Sequence, residues 1–295
     1  MKFDQTFIAI RERGIFEIFD LTLKVIRDHL TALIVLGTIG VLPWMILDIW
    51  LLQWVLGEST RVSYAFYAWL MALLVTSQAQ VATSFVTRYL GDAMFEGRPE
   101  IGKTIRAVFK TSFFFVWAHG GLRLLVPSLI LAFLMAPLST ELNTAIGMVF
   151  LPLCVGTLLL VRALRPFCSE MLLLERTPIT SGNSNKAVTY SKRSKALHLA
   201  TSSDLFGRSL VTSMVASVLA FCVFSIFHFA DETINFRFGD FSFKPYLWAL
   251  SLWVVAGFVA VSRFLSYIDV RIRQEGWAVE LRMRAEAQRM TRSWD

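Results

Sequence analysis

The sequence predicts an all-α, polytopic integral membrane protein with six transmembrane helices. Apolar residues make up 55% of its 295 residues and charged residues only 17%, a composition that is too apolar for a soluble globular protein. The apolar residues also gather into six segments, each long enough to cross a hydrocarbon core of about 30 Å as a helix. The predicted spans lie near residues 30–56, 62–87, 118–138, 145–167, 209–230 and 245–268.

The loops between these segments are alternately rich and poor in positive charge. The 29 Lys and Arg residues concentrate in the N-terminal segment, in the loops after spans two and four, and in the C-terminal tail, whereas the opposite loops hold only Arg61, Arg237 and Lys244. By the positive-inside rule, both termini are expected on the cytoplasmic side of a bacterial inner membrane. The net charge of +7 therefore predicts contact with an anionic inner leaflet and does not indicate nucleic acid as a partner.

An amphipathic segment precedes the first, the third and the fifth span. In residues 14–28 the charged side chains share one helical face and the aromatic and aliphatic side chains share the other, and residues 101–114 and 184–198 repeat this pattern more weakly. We expect three cytoplasmic amphipathic helices that rest on the inner leaflet. A cytoplasmic helix followed by a membrane hairpin, used three times, indicates an internal repeat.

The most basic cytoplasmic segments are the loop after span four and the tail after span six. The loop has no acidic residue between Arg176 and Ser203. The tail has a helix-forming composition and is predicted as a second domain, a C-terminal amphipathic helix over residues 269–295, after the six-span domain of residues 1–268. Both segments are expected to contact anionic lipid or a partner protein. The candidate contact residues are Lys186, Lys192, Arg193, Lys195, Arg271, Arg273, Glu275 and Trp277.

Three stretches carry a resemblance to a known family. They are FEIFDLTLKVIRDHL before span one, RPFCSEMLLLERTPI with NKAVTYSKRSKAL after span four, and SYIDVRIRQEGWAVELRMRA at the end of span six. Together they resemble the bacterial multi-span superfamily that includes the membrane domain of glycerophosphodiester phosphodiesterases and its stand-alone relatives. The resemblance implies the six-helix layout. It implies no phosphodiesterase activity, because the hydrophilic segments of this sequence are too short to house that catalytic domain.

The sequence shows no pattern typical of an enzyme. Its histidines, His29, His119, His198 and His228, are scattered, and the usual metal-binding, nucleophile and phosphate-loop motifs do not occur. The three cysteines lack the paired spacing of a zinc or redox site. We therefore expect no catalytic residues, no metal site and no cofactor.

Three ionisable residues in or near the predicted spans are candidates for a role within the membrane, namely Asp48, His119 and Arg123. If span three begins at Thr111, Arg123 lies deep in the membrane and needs Asp48, Glu170 or a water-filled path as its partner. If the span begins near residue 118, His119 and Arg123 both lie at the interface. Gly120-Gly121 favours the second placement. Asp48 either lies at the outer interface or lines a polar pocket near the Pro43 kink.

Two functions of different classes fit these features. The leading hypothesis is a non-catalytic membrane scaffold or assembly subunit, which anchors other membrane or cytoplasmic proteins through its basic cytoplasmic loops and its C-terminal helix. The alternative is a transporter or a channel-like component that uses the polar intramembrane residues Asp48, His119 and Arg123.

Overall fold

The computed structural model describes an all-helical chain. The described residues are 14–56, 61–96, 99–122, 125–135, 141–175, 190–199, 202–234 and 244–275. The helices within these ranges are α1 (Ile15–Asp28), α2 (Leu30–Leu56), α3 (Arg61–Ala82), α4 (Ser84–Glu96), α5 (Ile101–Leu122), α6 (Leu125–Met135), α7 (Glu141–Leu164), α8 (Cys168–Leu173), α9 (Tyr190–Leu199), α10 (Ser202–Ile234) and α11 (Lys244–Glu275). The predicted all-α class is therefore confirmed for the described part of the chain.

Five helical segments in the described ranges are long and apolar enough to cross a membrane. They are Leu30–Gln53, Tyr64–Met94, Gly147–Leu164, Ser202–Thr233 and Pro245–Arg273. Each one overlaps a predicted span, so the apolar helices indicate a membrane protein.

The predicted third span, residues 118–138, falls on the end of α5 and on α6, whose described part is an apolar helix of 11 residues. Residues 123–124 and 136–138 of this span lie outside the described residues. The count of six spans stays a prediction.

Helix α3 is the central helix of the bundle. It packs against α2, α6, α7 and α11, and 83% of the most apolar stretch of Tyr64–Met94 is buried inside the protein. In α10 only 6% of the corresponding stretch is buried, and large apolar side chains such as Met214 and Phe221 are exposed. Exposed apolar surface of this extent requires an apolar surrounding, which a lipid bilayer provides.

Helices α2 and α3 approach each other most closely at Gly40. A Cβ atom at this position would lie 2.0 Å from the carbonyl oxygen of Ala82, so only glycine fits without a shift of the backbone. Small residues allow such close contact between membrane helices. The contact fixes the register in which the rest of α2 meets α3.

The predicted amphipathic segments are helical where the structure describes them. Helix α1 covers the predicted range, and it buries Ile18 against the core while Phe16 and Leu23 are exposed. Helix α5 continues beyond the predicted end at residue 114, and residues 184–189 of the third segment lie outside the described residues. Contact of these helices with the membrane surface stays a prediction.

The last span and the predicted C-terminal helix are continuous. Helix α11 passes through the predicted domain boundary at residues 268 and 269 and ends at Glu275. Residues 276–295 of the predicted tail lie outside the described residues.

The Gly40 contact yields a test of the helix packing. We expect Gly40→Ala to lower the free energy of unfolding by about 1–3 kcal/mol, because the added methyl group collides with backbone. The matched control is Gly37→Ala on the same helix, where an added Cβ meets nothing within 4 Å. Thermal unfolding of both variants in detergent, followed by circular dichroism, measures the difference. An equal effect of the two substitutions would contradict the close packing at Gly40.

Candidate binding cavity

A cavity of about 560 Å³ lies between α3, α7, α10 and α11. It exists because the helices present small side chains to one another. On α3 the lining alanines follow one another at intervals of three, four and seven residues and therefore share one helical face. The lining alanines of α3 and α10 are Ala65, Ala68, Ala72, Ala79, Ala216 and Ala220.

The greater part of the cavity wall is apolar. Leu159 of α7 and Leu252 of α11 line it together with two tryptophans, Trp69 and Trp248. The Trp248 indole Nε1 donates a hydrogen bond of 3.1 Å to the Ala68 carbonyl oxygen, which fixes α11 against α3. The lining residues extend from Ala65 of α3 to Thr83, which directly follows α3, a distance of about 27 Å at 1.5 Å per residue. The cavity is thus nearly as long as a hydrocarbon core is thick.

Three arginines line one end of the cavity, which we call the arginine end. They are Arg162 of α7, Arg208 of α10 and Arg263 of α11. Hydroxyl groups of Ser209 and Ser262 lie on the same helices, each next to one of these arginines in the sequence. Among the described lining residues there is no Asp or Glu. The cavity therefore combines a long apolar wall with a cationic end.

Arg263 is held by a carboxylate behind the cavity wall. Its Nε donates to Glu170 Oε1 at 2.7 Å, and Glu170 is fully buried in the short helix α8. Within the described residues, Arg263 Nη2 and Glu170 Oε2 are buried and have no hydrogen-bond partner. Buried polar atoms are normally satisfied, so this buried ion pair is incompletely hydrogen-bonded in the described part of the chain.

The other two arginines are also fixed in place. Arg208 Nη1 lies 2.8 Å from Asp269 Oδ2 on α11, and its Nε lies 3.0 Å from Asp204. Arg162 Nη2 donates a 2.7 Å hydrogen bond to the Ser77 carbonyl oxygen of α3. Charged hydrogen bonds of this length hold the guanidinium planes in defined orientations. The arginine end is therefore preorganised.

A second cluster, centred on Glu175, lies next to the arginine end along α11. Arg193 of α9 binds Glu175 through two hydrogen bonds of 2.7 and 3.0 Å, and Arg271 lies 3.6 Å away. The Tyr267 hydroxyl also donates to Glu175. Burial raises the pKa of Glu175, but the hydrogen bonds from Arg193 and Tyr267 and the charge of Arg271 outweigh it, so the pKa lies below its ordinary 4.5.

Of the three predicted intramembrane residues, only the side chain of Asp48 lies in the described part of the chain. Asp48 is fully buried in α2, where Gln78 of α3 donates a 2.7 Å hydrogen bond to it. His119 belongs to α5, with its side chain outside the described part, and Arg123 lies outside the described residues. Asp48 is not among the described residues that line the cavity between α3, α7, α10 and α11.

The residues predicted to contact lipid or a partner protein are exposed in some cases and paired within the chain in others, where the structure describes them. Lys192 and Lys195 are exposed on α9. Arg193 and Arg271 instead bind Glu175, and Arg273 lies 3.1 Å from Asp269. Lys186 and Trp277 lie outside the described residues, and so does the side chain of Glu275.

The sequence analysis missed the arginine end. Arg162 and Arg263 lie inside the predicted spans 145–167 and 245–268, and Arg208 directly precedes the span at 209–230. Ionisable residues within a span are costly and often functional, and this signal was available. The three arginines were not predicted as a site because positive charges at the ends of the spans were used to predict the orientation of the chain in the membrane.

Comparisons with protein-family models, curated proteins and solved structures found no match for this chain. Among the described residues, no group of three or more His, Cys, Asp or Glu side chains is placed to hold a metal ion. The geometry of the cavity therefore carries the functional argument.

The Glu175 cluster predicts a specific pH dependence of stability. Because the pKa of Glu175 is lower in the folded protein than its ordinary 4.5, the ionised carboxylate stabilises the fold above that pH. The stabilisation is lost as the pH falls from about 4.5 through the lower pKa of the folded state. Glu175→Gln should lower the free energy of unfolding at pH 7 by about 1–3 kcal/mol and flatten its acid dependence.

The measurement is the thermal unfolding midpoint between pH 7 and pH 3 in detergent. The control is Glu100→Gln, which removes the exposed ion pair with Lys103 and should change the stability by less than about 1 kcal/mol. An acid profile of Glu175→Gln as steep as that of the wild type would exclude this role of Glu175.

Proposed function

We propose that this protein binds an amphiphilic molecule with an anionic head group inside the membrane, as a transporter or carrier. The observation that carries the proposal is the cavity itself, with its long apolar wall and its arginine end. Its volume of about 560 Å³ is in the range of small-molecule sites. The apolar wall suits an acyl or isoprenoid chain, which gains free energy by leaving contact with water.

The charge of the head group follows from the cavity lining. Arg162, Arg208 and Arg263 line the cavity, whereas the carboxylates of Glu170 and Asp269 pair with the arginines from behind it. A guanidinium presents several donors in a plane that matches a phosphate or a carboxylate.

The same geometry supports transport over anchoring. The scaffold hypothesis relied in part on Arg193, Arg271 and Arg273 as contacts for a partner, and these residues form ion pairs with Glu175 and Asp269 of their own chain. Removing them from the buried Asp269 and the partly buried Glu175 would leave uncompensated charge. With the orientation predicted from the positive-inside rule, the arginine end faces the cytoplasmic leaflet of a bacterial inner membrane.

The cavity can be tested by filling it. Ala216→Phe places a ring into the cavity from α10, whereas Val218→Phe changes an exposed position on the same helix. We expect the purified protein to bind phosphatidylglycerol more tightly than phosphatidylcholine, and Ala216→Phe to weaken this binding at least about tenfold. Native mass spectrometry with titrated lipid measures both affinities. Equal weakening by Val218→Phe, or equal affinity for the two lipids, would contradict the proposal.

A control at the arginine end separates a lipid from a free anion. Arg162→Gln removes one cation from the lining, and losing a charged hydrogen bond should weaken phosphatidylglycerol binding about 10-fold or more. Inorganic phosphate and a free fatty acid are tested as competitors. Competition by the fatty acid and not by phosphate identifies the apolar chain as part of the recognised structure.

A scaffold role is the second proposal, and the exposed lysines of α9 favour it. Lys192 and Lys195 are exposed on α9, next to Arg193 of the Glu175 cluster. Exposed positive charges of this kind can bind an acidic surface of a partner protein. The double variant Lys192→Glu/Lys195→Glu should then lose proteins that co-purify with the wild type from native membranes in mild detergent, as measured by quantitative mass spectrometry. Lys103→Glu, on the exposed face of α5, is the control. An unchanged set of co-purifying proteins would exclude docking at α9.

A further inference from the structure

Asp48 and Gln78 form an isolated polar pair between α2 and α3. Both side chains are fully buried, and Gln78 Nε2 donates to Asp48 Oδ1 at 2.7 Å. One helical turn away on each helix lie the buried leucines Leu52 and Leu74. Asp48 and Gln78 both belong to candidate membrane spans. A carboxyl group in these surroundings has no water to stabilise a negative charge.

Each partner has one buried oxygen without a hydrogen bond. Within the described residues, Asp48 Oδ2 and Gln78 Oε1 have no partner. Oxygens of a carboxylate and of an amide only accept hydrogen bonds, so these two atoms cannot satisfy each other. Leaving two such atoms buried and unsatisfied is unfavourable. The pair therefore lacks a hydrogen-bond donor.

No cation neutralises Asp48 within the described residues. Arg162 of α7 comes near this part of α3, but its Nη2 binds the Ser77 carbonyl oxygen. Two titratable side chains, the phenols Tyr67 of α3 and Tyr246 of α11, interact electrostatically in the region of Asp48. The Tyr67 hydroxyl donates a hydrogen bond to the Pro245 carbonyl oxygen. Neither phenol supplies a positive charge.

The described residues of the other helices packed on α2 do not provide a positive charge for Asp48 either. The sequence of α6 contains no titratable side chain, and Arg88 of α4 binds Asp92 on its own helix. The basic residues of α5 that the structure describes, Lys103, Arg106 and Lys110, are exposed. On α1, Lys24 and Arg27 are not buried, and Arg27 pairs with Asp28. Among the side chains that the structure describes, a proton on Asp48 itself is therefore the remaining source of the missing donor.

We propose that Asp48 is a proton-binding site inside the membrane. The carboxyl group carries a proton on Oδ2 and donates it in a hydrogen bond to Gln78 Oε1, while Gln78 Nε2 donates to Oδ1, so that acid and amide are doubly bonded. Release breaks the O–H bond, leaves the electron pair on the carboxylate and passes the proton to water. Because water reaches the pair only when α2 and α3 separate, proton release accompanies a movement of these helices.

The site is independent of the proposed ligand cavity but shares a wall with it. Gln78 and Leu74 lie on the face of α3 that is turned to α2, whereas Ala72, Thr76 and Ala79 line the cavity. A movement of α3 that follows loss of the proton changes the shape of the cavity. The proton is thus suited to drive a change at the cavity, and whether Asp48 carries a proton can be tested without a ligand in the cavity.

Infrared spectroscopy of the full chain in lipid nanodiscs tests the proposal. At pH 7 we expect the carbonyl stretch of a protonated carboxylic acid in the wild type, and loss of this band in Asp48→Asn. Asp92→Asn is the control, because Asp92 pairs with Arg88, and it should retain the band. Absence of the band from the wild type, or its persistence in Asp48→Asn, would overturn the proposal.

A second variant keeps the test decisive if Asp48→Asn fails to fold. Gln78→Leu removes both hydrogen bonds of the acid, so its carbonyl band should move to higher wavenumber. A band that does not move in folded Gln78→Leu belongs to another group and refutes the assignment. We also expect Asp48→Asn to shift the unfolding midpoint by less than about 3 °C, because an amide N–H replaces the acid O–H. A larger loss would indicate an ionised Asp48.

Discussion

The burial of α3 is the constraint on which the structure depends. A helix surrounded by other helices has neither lipid nor water around it, so each polar group on it must find its partner within the protein. Gln78 binds Asp48 on one side, and the Ser77 carbonyl oxygen accepts a hydrogen bond from Arg162 on another. The Ala68 carbonyl oxygen accepts one from Trp248. Polar contacts with three helices therefore fix the position of α3, and its alanines leave the space that forms the cavity.

The arginine end combines charge with restricted motion. A guanidinium is costly to bury alone, and the carboxylates of Glu170 and Asp269 reduce this cost while they orient Arg263 and Arg208. Since these carboxylates lie behind the wall, the ligand-facing surface keeps its positive character. The proposed ligand would then meet donors whose orientation is already set, which lowers the entropic cost of binding.

The sequence predicted the helical class and the approximate position of five apolar helices, because hydrophobicity over about 20 residues is a local property. It did not predict which helix is central. The stretch that contains α3 and the stretch of α10 are both apolar enough to cross a membrane, with a mean hydropathy of 1.3 and 2.3, and only tertiary contacts show that α3 is buried and α10 exposed. The role of Gly40 was equally invisible, since its constraint comes from the Ala82 backbone more than 40 positions away.

The distribution of Lys and Arg residues predicted an orientation of the chain in the membrane, but it did not indicate the candidate site. Arg193, Arg271 and Arg273 were interpreted as surface groups because their buried acidic partners, Glu175 and Asp269, are distant in the sequence or lie on the same helix. Asp48 was recognised as unusual from its apolar surroundings, yet its partner Gln78 could not be identified. Pairing across helices depends on register, and register is set by contacts such as the one at Gly40.

The continuity of α11 has a mechanical consequence. Arg263, Tyr267 and Arg271 follow one another at intervals of four residues and therefore lie along one face of a single helix. The first lines the cavity, and the other two contact Glu175, which Arg193 of α9 also holds. Because these three side chains share one continuous helix, Arg263 cannot shift along the cavity without moving Tyr267 and Arg271 relative to Glu175.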